Sequence, residues 1–138
     1  DGSTSTAIGA AYVSKAPTVF ITGDLSFFYD SNALWNNYIP STFKIIILNN
    51  SGGGIFRILP GAKEVVGFST FFETKHELTA KQLCDMHGFE YATANDPRSV
   101  KTQLDKFFKK TNAPQVLEIG TPSEINDTTL LAYFDYIK

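Results

Sequence analysis

Asp24 follows the apolar run Thr18-Val19-Phe20-Ile21-Thr22-Gly23, and Asn49-Asn50-Ser51-Gly52-Gly53-Gly54 follows a second apolar run that closes at Leu48. A carboxylate, an amide and an accessible glycine backbone all offer hard oxygen donors. Such donors suit Mg2+ (or Mn2+) holding a phosphate-bearing molecule. Twenty-five residues separate Asp24 from Asn50, which leaves room for one crossover helix. With both runs as parallel strands, the crossover brings Asp24 and Asn50 to the same edge of the sheet. Ligands of open α/β sheets bind at that edge.

The rest of the chain supplies the elements such a unit needs. An Ala-rich helix is expected over 5–14, with Ser3, Thr4 or Ser5 as its N-cap and Pro17 beyond its end. Strands are expected over 18–22 and 43–48, both apolar on two faces as in a covered parallel sheet. A helix over 30–38 lies between them, capped by Asp30 or Ser31 and closed by Pro40. Residues 55–75 are irregular, and their large apolar groups point to a pocket or a subunit interface. A helix over 79–87, a strand over 90–93 and an amphipathic helix over 97–109 follow. In that last helix Val100, Leu104, Phe107 and Phe108 fall on one stripe. A strand over 115–119 and a terminal helix from about 126, carrying Leu130, Leu131 and Phe134, complete the pattern. Alternating strands and helices predict an α/β fold: an open, mostly parallel sheet with helices on both faces.

At 138 residues the chain is long enough for one domain with a continuous core. Its 43% hydrophobic and 19% charged residues mark a globular chain. A net charge of −2 without basic runs excludes a general nucleic-acid or anionic-membrane binder. No apolar run approaches the length of a membrane span, and no signal peptide is visible. A single cysteine, Cys84, rules out an internal disulfide and fits a reducing, cytoplasmic setting. Cys84 and His87 have C-x-x-H spacing but no second pair to complete a zinc site, so a core cysteine and a surface histidine are expected. Arg57 reads as a surface or interface charge, with a substrate carboxylate as its other possible partner. Asp30 reads as a helix cap.

Gly23-Asp24-Leu25-Ser26, followed after a helix and a strand by Asn49-Asn50, resembles the thiamin-diphosphate signature of Gly-Asp-Gly, a spacer and Asn-Asn. Asp1-Gly2, Ser5-Thr6-Ala7, Gly9, Phe27, Asp30, Asn32-Ala33-Leu34 and the Gly52-Gly53-x-Ile55-Phe56 stretch extend the likeness to one branch. That branch is the 2-succinyl-5-enolpyruvyl-6-hydroxy-3-cyclohexene-1-carboxylate synthases of menaquinone biosynthesis, in which Leu25 in place of the second Gly is typical. The resemblance implies the thiamin-diphosphate-binding fold. It also implies that 1–138 is a single pyrophosphate-binding domain, the C-terminal part of a longer enzyme.

By the same resemblance, Asp24 and Asn50 would bind metal through side-chain oxygens and Gly52 through its carbonyl. Gly23, Leu25, Ser26 and Gly53 would border the cofactor, and Ile55 and Phe56 would lie near its ring. Ile55, Phe56 and Leu59 would line the substrate pocket, although a core role suits them equally well. Asn49 is less suited to metal, because alternation points neighbouring strand residues opposite ways. Ser51 departs from the Asn or Gly often found at its position. The implied cofactors are thiamin diphosphate and Mg2+ or Mn2+, and the implied substrates are 2-oxoglutarate and isochorismate. The partner would be the pyrimidine domain of a second subunit, in a homodimer or homotetramer. The activating glutamate and the substrate arginines would lie outside 1–138, leaving this chain an inactive half-site by itself. Competing readings are another thiamin-diphosphate enzyme such as an acetolactate-synthase-like protein, a non-catalytic Mg2+-binding regulatory domain, and a non-catalytic interaction domain. A dinucleotide module is disfavoured because no G-x-G-x-x-G follows either strand.

Overall fold

The computed structural model describes residues 2–14 and 16–138. Asp1, one end of the resemblance, lies outside the described residues. The chain divides into two compact units, Asp1–Asn49 with Thr79–Gly120 and Asn50–Leu78 with Thr121–Lys138.

The first unit holds four parallel strands, β1 (Thr18–Gly23), β2 (Phe43–Asn49), β3 (Glu90–Ala94) and β4 (Gln115–Gly120), in the order β1-β2-β4-β3. All four expected strands form, each one residue longer at its C-terminal end. Gly23 pairs with Leu48, Leu48 with Ile119, and Ala94 with Ile119, so the four strands end in one row. Alternation sorts β2 between two cores. Phe43, Ile45 and Ile47 join Ile8, Phe27, Leu34, Cys84 and Val116 on one face. Ile46 joins Leu117, Ala94 and Phe107 on the other.

Helices α1 (Ser3–Ser14), α2 (Asp24–Tyr29) and α3 (Lys81–His87) cover the first face, and α4 (Pro97–Phe107) covers the second. Helices thus lie on both faces, but unevenly: Val19, Ile21 and Leu48 on the α4 side stay exposed. The start of α4 is set locally. Asp96 accepts from the Arg98 and Ser99 amides, Ser99 Oγ closes a capping box, and Pro97 occupies the first turn. Its stripe buries Phe107 with Val100 and Leu104 alongside, whereas Phe108 points outward. Gly88 ends α3 in the left-handed region at φ 74°, a conformation that strains any residue with a Cβ.

Three expectations need correction. The segment after β1 turns directly into α2, and the expected 30–38 helix is only a 3-10 turn, Ser31–Trp35. Six residues carry too little periodicity to reveal α2, and Phe27 becomes its buried anchor only in the fold. Asp30 is a cap, but for α1: its carboxylate accepts from Ser5 N at 2.7 Å and Ser5 Oγ at 2.8 Å. β2 is not apolar on both faces. Lys44 is buried, and its Nζ donates to Phe107 O at 2.5 Å, to Lys109 O at 3.2 Å and to Gln115 Oε1. It neutralises the carbonyls at the end of α4. Burial holds its ammonium below the usual lysine range, and Glu90 pulls it back up.

In the second unit, 3-10 turns at Gly54–Ile58 and Ala62–Glu64 and a π turn at Phe68–Phe72 precede α5 (Asn126–Tyr136). Helix α5 packs on the Gly54–Ile58 turn. Leu130, Leu131 and Phe134 remain partly exposed.

Cys84 is fully buried in the first core, and its thiol is pushed from 9.0 to about 12, first by burial and then by Glu118 and Asp85. Among the described residues no group of three or more His, Cys, Asp or Glu side chains is placed to hold a metal. Because the folded value is raised, the thiol contributes stability that is complete below pH 9 and is lost as the pH climbs towards 12. Alkaline unfolding of Cys84→Ala is therefore expected to lack that part of the decline. Replacing Asp30 by Ala leaves the Ser5 donors without their partner and is expected to cost about 2 kcal/mol in denaturant unfolding.

Candidate functional site

Asp24 occupies the first position of α2, directly beyond the end of β1, and is only 3% exposed. Its Oδ1 accepts from Leu25 N at 2.8 Å, and an acid in the first turn is favoured by the helix dipole. Leu25 and Ser26 fill the rest of that turn. Gly23 caps it in an extended conformation, and a Cβ built there would meet no protein atom within 4 Å. The space over Gly23 is thus free of side chains, beside a buried carboxylate. That arrangement leaves room for a group to approach the backbone closely.

At the end of β2, the Asn49 side chain is engaged within the first unit. Asn49 Nδ2 donates to Glu118 Oε1 at 2.6 Å, so its side chain lies on the face shared with Ile45 and Ile47. Glu118 is 3% exposed; its Oε2 accepts from Tyr91 OH at 2.6 Å and Ala80 N at 3.0 Å. Burial, with the carboxylate beside it, pushes the Tyr91 phenol well above its usual range. Sequence reasoning missed Glu118 altogether; a lone carboxylate in the run Gln115-Val116-Leu117-Glu118-Ile119 was the available signal.

The remaining expected residues, Asn50, Gly52, Gly53, Ile55, Phe56 and Leu59, belong to the second unit. Ser51 sits at φ 62°, where Asn or Gly is less strained, which explains why those residues suit the position. Gly52 lies at φ 149°, and a Cβ there would fall 2.6 Å from the Glu73 carbonyl. The Gly53 amide donates to that same carbonyl at 2.6 Å. A Cβ on Gly53 would press on Phe72 O and the Phe56 ring, and one on Gly54 would fall 2.5 Å from Asn50 Nδ2. Gly52 is thus required by the Glu73 backbone, whereas a side chain at Gly53 or Gly54 would need its neighbours, the Phe72 carbonyl and Phe56 ring or the Asn50 amide, to shift. Phe56 packs edge-on against Phe72 at 5.7 Å, while Ile55 and Leu59 are 59% and 46% exposed.

Arg57 is not a surface charge. Its guanidinium pairs with Glu73, itself 4% exposed, and its Nη1 donates to Ser123 O at 2.5 Å. Lys75 adds a longer contact to Glu73 at 3.8 Å. Glu73 therefore holds the glycine run by its carbonyl and Arg57 by its carboxylate.

The donors expected from the sequence, the Asp24 carboxylate, the Asn50 amide oxygen and the Gly52 carbonyl, are of the hard oxygen type that suits a divalent ion. Gly52→Ala is expected to lose hydrogen-exchange protection across 50–78 while the β1–β4 amides keep theirs. The added methyl would collide with the Glu73 carbonyl in a backbone conformation that side chains avoid.

Residues 2–119 match the family described as thiamine pyrophosphate enzyme, C-terminal TPP binding domain. Among curated proteins, the 2-succinyl-5-enolpyruvyl-6-hydroxy-3-cyclohexene-1-carboxylate synthase of Christiangramia forsetii is 56% identical over the whole chain and 24% of its own length. The synthase of that name from Flavobacterium psychrophilum is 59% identical over 97% of this chain and 24% of its own. The Porphyromonas gingivalis protein is 40% identical over the whole chain and again 24% of its own length. The chain thus spans about a quarter of the length of the curated relatives it matches. With the family's match extending from before α1 into β4, this chain belongs to the C-terminal TPP-binding domains of thiamine pyrophosphate enzymes.

Proposed function

We propose that the chain docks the diphosphate end of thiamin diphosphate, through Mg2+ or Mn2+, within a 2-succinyl-5-enolpyruvyl-6-hydroxy-3-cyclohexene-1-carboxylate synthase, a transferase of menaquinone biosynthesis. The observation that carries this reading is Asp24, a buried carboxylate at the end of β1 beside the open backbone of Gly23. Relatives at 56% and 59% identity that bear the synthase name support the choice of branch. No observation favours an acetolactate-synthase-like or regulatory reading over it.

In this reading Asp24 and Asn50 offer side-chain oxygens to the metal, and Gly52 offers its carbonyl. The metal neutralises a diphosphate that would otherwise repel the Asp24 carboxylate. Gly23, Leu25, Ser26 and Gly53 border the phosphates with backbone rather than bulk. Ile55 and Phe56 lie near the cofactor ring and, with Leu59, exclude water from the substrate side. When bound, thiamin diphosphate supplies the carbon nucleophile and electron sink for decarboxylating 2-oxoglutarate and passing the remaining four carbons to isochorismate. This chain's residues bind and orient. Proton transfer falls to parts of the longer protein, including the pyrimidine domain of a second subunit in a homodimer or homotetramer.

Residues 1–138 serve as one pyrophosphate-binding domain in this reading, and a cytoplasmic setting accords with the lone buried thiol. Among the described residues no helix is long and apolar enough to cross a membrane.

In the full-length protein, Asp24→Ala and Asn50→Ala are each expected to weaken Mg2+-dependent thiamin diphosphate binding by at least about tenfold in calorimetric titration, with turnover falling in step. Unchanged cofactor affinity in both variants would remove the metal assignment.

A further inference from the structure

Glu118 is the least expected side chain in the sheet. Strand β4 is an interior strand, flanked by β2 and β3, and its neighbours Val116 and Leu117 are buried core residues. An aliphatic side chain would fit the same slot. The carboxylate is instead 3% exposed and, among the described residues, forms no ion pair with Lys, Arg or His. Taking an ionised carboxylate out of water is costly unless donors replace the lost hydration. Three donors do so: Asn49 Nδ2 from β2, Tyr91 OH from β3 and the Ala80 amide that opens α3.

These donors come from three separate elements and meet at one carboxylate close to the row of strand ends. A network of that form contributes little net stability over aliphatic packing, and its effect is to fix geometry. The group it fixes towards the site is Asn49. This is the last residue of β2, and its carbonyl carbon is bonded to the nitrogen of Asn50. Holding the Asn49 side chain on the Ile45–Ile47 face sets the backbone direction from which residue 50 departs, because successive side chains on a strand point opposite ways.

We propose that Glu118 is a positioning residue for the diphosphate-metal site. By gripping Asn49 it orients the end of β2 from which the Asn50 ligand departs. The proposal rests on the reading that Asn50 ligates the metal. Outer partners that orient a metal ligand typically change metal affinity by about 10- to 100-fold when lost.

The test is a reversal of the pair in the full-length protein. Asn49→Asp sets a carboxylate against the Glu118 carboxylate, where an amide donor now stands. Adding Glu118→Gln restores a donor–acceptor pair, since the introduced amide donates to the introduced carboxylate while its oxygen still accepts from Tyr91 and Ala80. Calorimetric titration of Mg2+ at saturating thiamin diphosphate is expected to show at least about tenfold weaker metal binding in Asn49→Asp. The double variant is expected to recover to within about threefold, and kcat at saturating Mg2+ is expected to stay within about threefold throughout.

Asn49→Ala removes the donor without adding charge, is expected to weaken Mg2+ by about three- to tenfold, and decides the matter if Asn49→Asp does not fold. Unchanged Mg2+ affinity in the single variants, or a loss that the double variant leaves in place, overturns the proposal. Tighter Mg2+ binding in Asn49→Asp also overturns it, by making position 49 itself a ligand. Asn50→Ala, measured alongside, separates the two layers. If it leaves Mg2+ binding intact, the site reading fails; if it abolishes binding while the Asn49 variants do not, only the positioning role of Glu118 fails.

Discussion

The side-chain alternation of β2 is the constraint on which the first unit depends. The strand pairs with β1 on one side and β4 on the other, so its register serves two ladders at once. Phe43, Ile45, Ile47 and Asn49 fall on one face; Lys44 and Ile46 fall on the other. A slip of one residue would send the lysine into the Phe27–Leu34 core and strip Glu118 of its Asn49 donor. Both interior packing and the geometry of the strand ends therefore follow from one register.

The polar groups buried in this fold are tied to backbone more than to opposite charge. Lys44 ends on carbonyls at the close of α4, Asp30 on the Ser5 amide at the start of α1, and Glu118 on the Ala80 amide at the start of α3. Each satisfies donors or acceptors that a helix end leaves over, which lets short helices begin and stop where the sheet needs them. Among the described residues, buried Glu73 and Asp127 are held instead by opposite charge, Glu73 by Arg57 and Asp127 by Lys63 at 2.6 Å. Even there the Glu73 main-chain carbonyl does a separate task, accepting from Gly53 while limiting what Gly52 can become. Such groups add little net stability and much definition.

In the proposed reading, where the domain anchors the charged tail of a cofactor, this distribution is sensible. The phosphate side would need bare backbone and a few fixed oxygens, and the reacting end would draw its groups from elsewhere. Asp24 is oriented by the first turn of α2, where its carboxylate accepts from the Leu25 amide, and the glycine run is tied to the Glu73 carbonyl through the Gly53 amide.

The amino-acid sequence by itself determined the four strands, their parallel sense, the amphipathic α4 and the placement of Asp24 at a strand end. These depend on local signals: short apolar runs, capping residues and a spacing that admits one crossover. Alternation also turned the Asn49 side chain away from its neighbour's, and the fold places it on the Ile45–Ile47 face. Tertiary structure decided the rest. That Asp30 caps α1, that Lys44 ends α4, that Glu118 holds Asn49 and that Arg57 is buried on Glu73 are pairings between residues 25, 63, 69 and 16 positions apart. No local pattern encodes which distant donor meets a buried acceptor, because that choice is made only when packed elements exclude water and leave each polar group the few neighbours that can satisfy it.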